Sequence, residues 1–167
     1  MPHRPLGSLA RMTVLFGLTV SGALPCTCIP PGVKDDLAHS NVVFRGVVVS
    51  VKILPKRSEI ARARYAVTFS VSKYWKGSSG RSVTLHVVGP GTDCVGASFE
   101  LGKEYIVFAV FQEANDYWLG NDFWYGWLDV LPRGSRILTA NNSCDSTSEI
   151  KEGMSTLKVL GRGKRPQ

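Results

Sequence analysis

The chain has 167 residues and a net charge of +7, with 44% hydrophobic and 20% charged residues. This length suffices for one domain with a proper hydrophobic core and is short for two. The composition is that of an ordinary globular protein, which excludes a largely disordered chain.

Residues 1–23 have the order of a secretory signal peptide. A basic opening is followed by an apolar run at residues 13–20 and by the small residues Ser21, Gly22 and Ala23. That order is typical of a cleavable leader. The apolar run is shorter than the ~20 residues that span a bilayer, which argues against a membrane anchor. We therefore expect a secreted, extracellular protein, the alternative being a buried N-terminal strand.

The cleavage position decides which residue begins the mature protein. Cleavage after Ala23 satisfies the preference for small residues before the cut and leaves Leu24 first. Cleavage after Pro25 leaves Cys26 first, although proline fits the position before the cut poorly. The sequence leaves both positions open.

All four cysteines follow the leader, at Cys26, Cys28, Cys94 and Cys144. An even number of cysteines in an exported chain predicts two disulfide bonds. A bond between Cys26 and Cys28 is disfavoured because so small a ring strains the disulfide. Each of these two is therefore expected to pair with one of the distant cysteines. The spacing is also too tight for a typical zinc site, so we expect no metal of its own and no cofactor.

The first half of the mature chain predicts a short helix and a long strand. Residues 33–39 form one or two helical turns, with Val33, Leu37 and Ala38 on one side. Residues 41–52 are rich in β-branched side chains and predict a largely buried strand, with Gly46 at a bulge or bend.

Further strands are predicted at residues 64–75, 82–88 and 105–111. One face of the first of these carries Tyr65, Val67, Phe69, Val71 and Lys73. Strands joined by short turns, without long helices between them, predict an antiparallel barrel or sandwich.

The C-terminal part predicts one helix and a basic tail. The capping-box pattern at residues 146–149 precedes Ile150, Met154 and Leu157 at helical spacing, although Gly153 weakens the helix. Residues 161–167 are expected to form a basic, flexible tail.

No catalytic residue is predicted, and the chain is not expected to be an enzyme. His39 lies at a helix end, and His86 is expected to face solvent, opposite the apolar face of its strand. No serine or cysteine is placed to act as a nucleophile beside either histidine.

Six aromatic residues crowd the segment 117–127. They could cap the core as part of a hairpin, or they could form a platform for sugars, nucleobases or a protein partner. The candidate binding aromatics are Trp118, Phe123, Trp124 and Trp127.

The sequence Cys-Thr-Cys-Ile-Pro-Pro at residues 26–31 resembles the start of the mature tissue inhibitors of metalloproteinases. The resemblance continues in order through residues 41–47, Tyr-Trp-Lys-Gly at 74–77, Asp-Cys-Val-Gly at 93–96, residues 102–109 and Ser-Cys at 143–144. The resemblance covers roughly residues 26–160. The cysteine spacing in this strand order also resembles that of netrin-like domains in general.

The resemblance implies a five-stranded, OB-like antiparallel barrel with short flanking helices, spanning residues 24–160. It implies the disulfides Cys26–Cys94 and Cys28–Cys144. The family's third barrel disulfide has no counterpart, because Ala38 stands at its position.

The resemblance also implies inhibition of a zinc metalloproteinase. The free α-amine and the carbonyl oxygen of Cys26 would chelate the catalytic zinc of the protease, and Thr27 would enter its specificity pocket. The contact ridge consists of Thr27, Cys28, Ile29, Pro30, Gly91, Thr92, Asp93 and Cys94.

If Leu24 begins the mature chain, Cys26 has no free amine and cannot chelate. The alternative function is a non-inhibitory extracellular module that binds a polyanion, a glycan or a protein through the basic tail or the aromatic segment. We expect no nucleic-acid partner, and no membrane association after the leader is removed.

Overall fold

A computed structural model describes residues 31–55, 63–77, 80–89, 96–113, 135–140 and 144–167. In these ranges the protein is mainly β, with two short helices. The elements are α1 (Val33–His39), β1 (Val42–Leu54), β2 (Arg64–Lys76), β3 (Ser82–Val88), β4 (Glu104–Glu113), β5 (Arg136–Thr139), β6 (Ser148–Glu149) and α2 (Met154–Leu160).

The strands form an antiparallel sheet in the order β3-β2-β1-β4-β5, and β6 pairs with β4. The sheet is open, because no hydrogen-bonded ladder joins β3 to β5 within the described ranges. The two edge strands still approach each other and contribute side chains to the same core. The predicted mainly β, antiparallel fold with short flanking helices is confirmed at this level.

The larger core lies on one face of the sheet and is organised around Phe69. This side chain is fully buried, and its ring meets those of Phe44 and Phe99 edge to face at centroid distances of 5.3 and 5.2 Å. Such arrangements add to the stabilisation from burial. Leu85 and Val87 of β3 and Leu138 of β5 contact the same cluster, so the core spans both edges of the sheet.

A second core lies on the other face, where the helices pack. Its fully or almost fully buried residues are Val43, Ile106 and Phe108. The side chains packed over them are Val33, Leu37, Trp75, Ile150, Leu157 and Leu160. The helix predicted at residues 33–39 is confirmed, and it contacts the sheet through two of the three side chains expected to face it, whereas Ala38 is exposed.

The β1 strand is irregular at Gly46, as predicted. The register with β2 shifts between Arg45 and Gly46, and a Cβ atom at Gly46 would lie only 2.8 Å from the carbonyl oxygen of Ser70. The prediction of a largely buried strand is right only for the first half of β1. β4 pairs with β1 as far as Val47, and the backbone of Val48 bonds to Gly102 and Lys103 just before β4. From Val49 onward β1 pairs with β2 alone among the described strands and extends past the core.

The predicted alternation of β2 is wrong at its C-terminal end. The pattern places Lys73 on the core face after Val71, but Lys73 is exposed and Tyr74 is buried instead. The cause is the register shift opposite Arg45 and Gly46, which leaves Ser72 without an opposite residue in the β1 ladder and reverses the faces of the following residues.

The C-terminal helix exists but begins later than predicted. Ser148 and Glu149 pair with β4 instead of starting a helix, and α2 begins at Met154, whose side chain is exposed rather than packed. Gly153 precedes the helix where a Cβ atom would lie 2.8 Å from Ile106 Cδ1. A larger residue at this position would require the ends of the Ile106 and Ser148 side chains to shift.

The segment predicted to be a flexible tail is anchored in part. The backbone of Lys164 forms two hydrogen bonds with that of Tyr74, in an isolated antiparallel bridge to β2.

Candidate functional site

The residues predicted to contact a protease lie outside the described residues. They are Cys26, Thr27, Cys28, Ile29, Pro30, Gly91, Thr92, Asp93 and Cys94. The candidate binding aromatics Trp118, Phe123, Trp124 and Trp127 lie outside them as well. What the structure describes is the frame at the ends of these segments: α1, the chain on either side of residues 90–95, Cys144, and the β4-β5 ladder.

The segment 90–95 leaves and rejoins the sheet at adjacent points. The amide of Ala97 donates to the carbonyl oxygen of Val88 over 2.9 Å, and that of Gly89 donates to Ala63 over 2.8 Å. Gly96 has a φ of +125°, and a Cβ atom there would lie 2.5 Å from the carbonyl oxygen of Gly89. The residues on either side of the segment 90–95, Gly89 and Gly96, therefore lie against each other in tightly packed backbone.

Replacing Gly96 with alanine is expected to lower the free energy of unfolding by about 2 to 3 kcal/mol, through backbone strain and overlap with Gly89. Gly102 is the matched control, because its φ is +79° but a Cβ atom there would meet nothing within 4 Å. Gly102→Ala is expected to cost about 1 kcal/mol from strain alone. Urea unfolding of both variants measures the difference, and equal losses would contradict the close packing at the loop base.

The helix α1 is fixed to the C-terminal part of the chain by a buried carboxylate. Asp36 is only 7% exposed. Its Oδ2 accepts a hydrogen bond of 2.8 Å from the backbone amide of Ser146 and a second, short one from the Ser146 hydroxyl. Hydrogen bonds to an ionised acceptor are stronger than those between neutral groups. The contact joins residues far apart in sequence and fixes α1 beside the chain that follows Cys144.

Lys76 holds the other end of α1. Its Nζ donates to the carbonyl oxygens of Leu37 and Ala38 over 2.8 and 2.7 Å. These carbonyl groups at the C-terminal end of the helix have no partner within it. A positive charge beside them also interacts favourably with the helix dipole. Both ends of α1 are thus fastened by groups from other parts of the chain.

Cys144 is disulfide-bonded. The other cysteines, Cys26, Cys28 and Cys94, all lie outside the described residues, so its partner is one of these three. The predicted pairing with Cys28 stays a prediction.

An exposed apolar strip lies near Gly89, the described residue that precedes the segment 90–95. Val51 and Ile53 lie in the second half of β1, beyond its pairing with β4, and are 38% and 72% exposed. Ile53 lies directly across from Tyr65 on β2. The Tyr65 ring covers Gly89, where a Cβ atom would lie 2.9 Å from Cε2. The strip therefore lies close to the point where the chain enters one of the two segments predicted to form the contact ridge.

The chain matches no protein-family model, and no curated protein matches it significantly.

Neither His39 nor His86, the two described histidines, lies in a cluster that could hold a metal ion. His39 is exposed, and its Nδ1 hydrogen-bonds to the carbonyl oxygen of Asp35 over 2.8 Å. Within the described ranges no three His, Cys, Asp or Glu side chains are placed to share a metal ion. In the same ranges no helix is long and apolar enough to cross a membrane.

His86 does not face solvent as its strand pattern predicts, but is half-buried. Burial lowers its pKa from the ordinary value of 6.5, because the neutral ring is easier to desolvate. The unfolded chain therefore takes up this proton at a higher pH than the folded protein, and stability is expected to fall as the pH drops through 6.5. Chemical unfolding between about pH 7.5 and 5 should show a shallower loss for His86→Gln than for the native chain. Identical slopes would show that the burial of His86 has no energetic effect.

Sequence reasoning missed the contact between Asp36 and Ser146. Residues 146–149 have the pattern of a capping box, which predicts that Ser146 caps the helix that follows it. Its hydroxyl instead donates to a carboxylate on a different helix.

Proposed function

We propose that this chain inhibits zinc metalloproteinases, with the α-amine and carbonyl oxygen of an N-terminal Cys26 as ligands of the protease zinc. The observation that carries the proposal is the fixed position of α1. This helix begins shortly after the Cys-Thr-Cys sequence, and buried Asp36 ties it to Ser146. A chelating N-terminus binds tightly only if little conformational freedom is lost on binding, so a rigid support for the segment is what the mechanism requires.

The finer fold that we propose is an OB-like barrel of the netrin-like type. Its support is the strand order β3-β2-β1-β4-β5, together with the approach of β5 to β3. A five-stranded barrel of this kind is partly open, which agrees with a sheet whose edges share a core without pairing in the described ranges.

The disulfides that we propose are Cys26–Cys94 and Cys28–Cys144. The contact between Asp36 and Ser146 supports the second bond. It brings the chain that follows Cys28 beside the chain that follows Cys144, which is itself disulfide-bonded. The first bond would then join the N-terminus to the loop whose base is closed at Gly89 and Gly96.

The proposed inhibition needs no reaction by the inhibitor. A catalytic zinc keeps one coordination position open for water, and a bidentate ligand can occupy it. An α-amine has an ordinary pKa of about 8 and must lose its proton to bind, which the charge of the metal favours. Thr27 would enter the specificity pocket, and residues 91–94 would complete the ridge. The exposed Val51 and Ile53 would add apolar contact area beside it.

Titration of a zinc metalloproteinase with the purified protein tests this function. We expect stoichiometric, one-to-one inhibition by protein whose N-terminus is verified as Cys26, and none of a serine protease that contains no metal. If protein that begins at Cys26 inhibits no member of a panel of zinc metalloproteinases, the proposed function is wrong.

A further inference from the structure

The last seven residues, 161–167, form a segment that we call the basic strap. It lies along β2 beyond the point where β3 stops pairing with that strand. The backbone of Lys164 bonds to that of Tyr74 over 2.8 and 2.7 Å, and the indole of Trp75 donates to the carbonyl oxygen of Gly161 over 3.1 Å. A Cβ atom at Gly163 would lie 3.1 Å from the same indole. Hydrogen bonds therefore hold the strap at Gly161 and Lys164, and Gly163 lies close to the indole between them.

Positive charges collect where the strap is held. Arg162, Lys164 and Arg165 are exposed on the strap, and Lys73 is exposed on β2 beside it. In the register set by the bridge between Tyr74 and Lys164, Arg165 comes next to Lys73. Like charges that face each other across neighbouring strands destabilise the pairing. Lys158, in the last turn of α2, adds a further exposed charge close to the start of the strap.

These charges are not neutralised by the described part of the protein. None of the five side chains makes an ion pair within the described ranges. Three of the acidic side chains, those of Glu100, Glu104 and Glu149, are instead engaged by Arg45 and Lys103. An anionic partner would therefore gain the full attraction of the strap and would relieve its internal repulsion.

We propose that the basic strap, together with Lys73 and Lys158, binds a linear sulfated polysaccharide. The charges lie on one short backbone segment and on the strand and helix beside it, and such a row of like charges suits a linear polyanion. The disulfide at Cys144 indicates an oxidising, extracellular setting, where sulfated polysaccharides are a common polyanion. The strap has no large apolar side chain that could insert into a lipid surface. This binding does not depend on protease inhibition.

Lys73 distinguishes a folded binding surface from a flexible basic tail. It belongs to β2, so a tail that binds by itself would not use it. Lys52 is the matched control: it is an exposed lysine on a neighbouring strand, and it lies across from Ala66, far along β2 from Tyr74. Lys73→Gln and Lys52→Gln remove the same charge from the full-length mature protein.

The experiment measures affinity for a heparin oligosaccharide at about 0.15 M salt, the physiological ionic strength. Lys73→Gln is expected to weaken binding about fivefold and Lys52→Gln less than about twofold, a fivefold change corresponding to about 1 kcal/mol. The triple variant R162Q/K164Q/R165Q keeps the backbone bridge. It is expected to weaken binding about a hundredfold, which corresponds to about 3 kcal/mol.

Two results would overturn the proposal. Equal effects of Lys73→Gln and Lys52→Gln would mean that the strap acts as an unstructured tail or that only net charge matters. Binding to phosphatidylserine-containing vesicles as tight as binding to the oligosaccharide, at equal concentrations of negative charge, would make a lipid surface the partner instead.

Discussion

Adding one alanine before Cys26 is expected to weaken inhibition of a zinc metalloproteinase by about a thousandfold or more. The extension converts the α-amine into a peptide nitrogen, which cannot coordinate zinc, and it places a residue where the metal would lie. Loss of a metal ligand costs several kcal/mol, and each 1.4 kcal/mol is about a factor of ten in affinity. Inhibition constants measured for the two proteins against one protease give the result directly.

The control is one alanine added after Gln167, which changes the length of the chain without touching the proposed site. This variant should inhibit as the native protein does. If the N-terminally extended protein inhibits equally well, the zinc is not bound by the amine of Cys26, and any inhibition has another origin.

Replacing Asp36 with alanine is expected to lower the free energy of unfolding by about 3 to 5 kcal/mol, because two hydrogen bonds to a buried charged acceptor are lost. The amide and hydroxyl of Ser146 would both lose their partner, and α1 would lose its link to the Cys144 segment. Urea unfolding measures the change. We also expect weaker inhibition under native conditions, since the support of residues 26–31 becomes mobile.

Asp35 provides the matched control for this experiment. It is exposed and lies in the same first turn of α1, so Asp35→Ala changes the charge of the helix by the same amount. Surface substitutions of this kind usually stay within about 0.5 kcal/mol. Similar losses for the two variants would show that helix charge matters rather than the buried contact with Ser146.

Local patterns in the sequence predicted the elements well where the chain is regular. The helix at residues 33–39 follows a proline pair and a glycine, and its bounds agree with α1. The strands predicted at residues 64–75 and 82–88 correspond closely to β2 and β3 because alternation of apolar and polar residues is a direct consequence of strand geometry.

The sequence could not predict features that depend on distant partners. The faces after Val71 are reversed by a register irregularity against β1, which no local pattern records. The apolar second half of β1 resembles a buried strand, yet its exposure depends on where β4 stops pairing. The bond from Ser146 to Asp36 and the bridge from Lys164 to Tyr74 join residues far apart in the chain. None of these features can be recognised before the fold is known.

The fold around the proposed site and the proposed zinc chelation require different features of the chain. The buried carboxylate of Asp36 and the packed glycine at the loop base are needed whichever ligand the protein binds. Chelation adds one condition that the frame does not impose, namely that Cys26 is the first residue. The same folded domain would therefore act as an inhibitor if its chain begins at Cys26, and as a binding module if it begins earlier.

The N-terminus of the protein purified after expression of the full sequence is the measurement that tests the central claim most directly. Intact mass and N-terminal sequencing identify it without any assumption about the target protease. The proposed mechanism predicts that the chain begins at Cys26, with a free α-amine. A chain that begins at Leu24 or earlier would contradict zinc chelation by Cys26, because the nitrogen of that residue would be held in a peptide bond with Pro25.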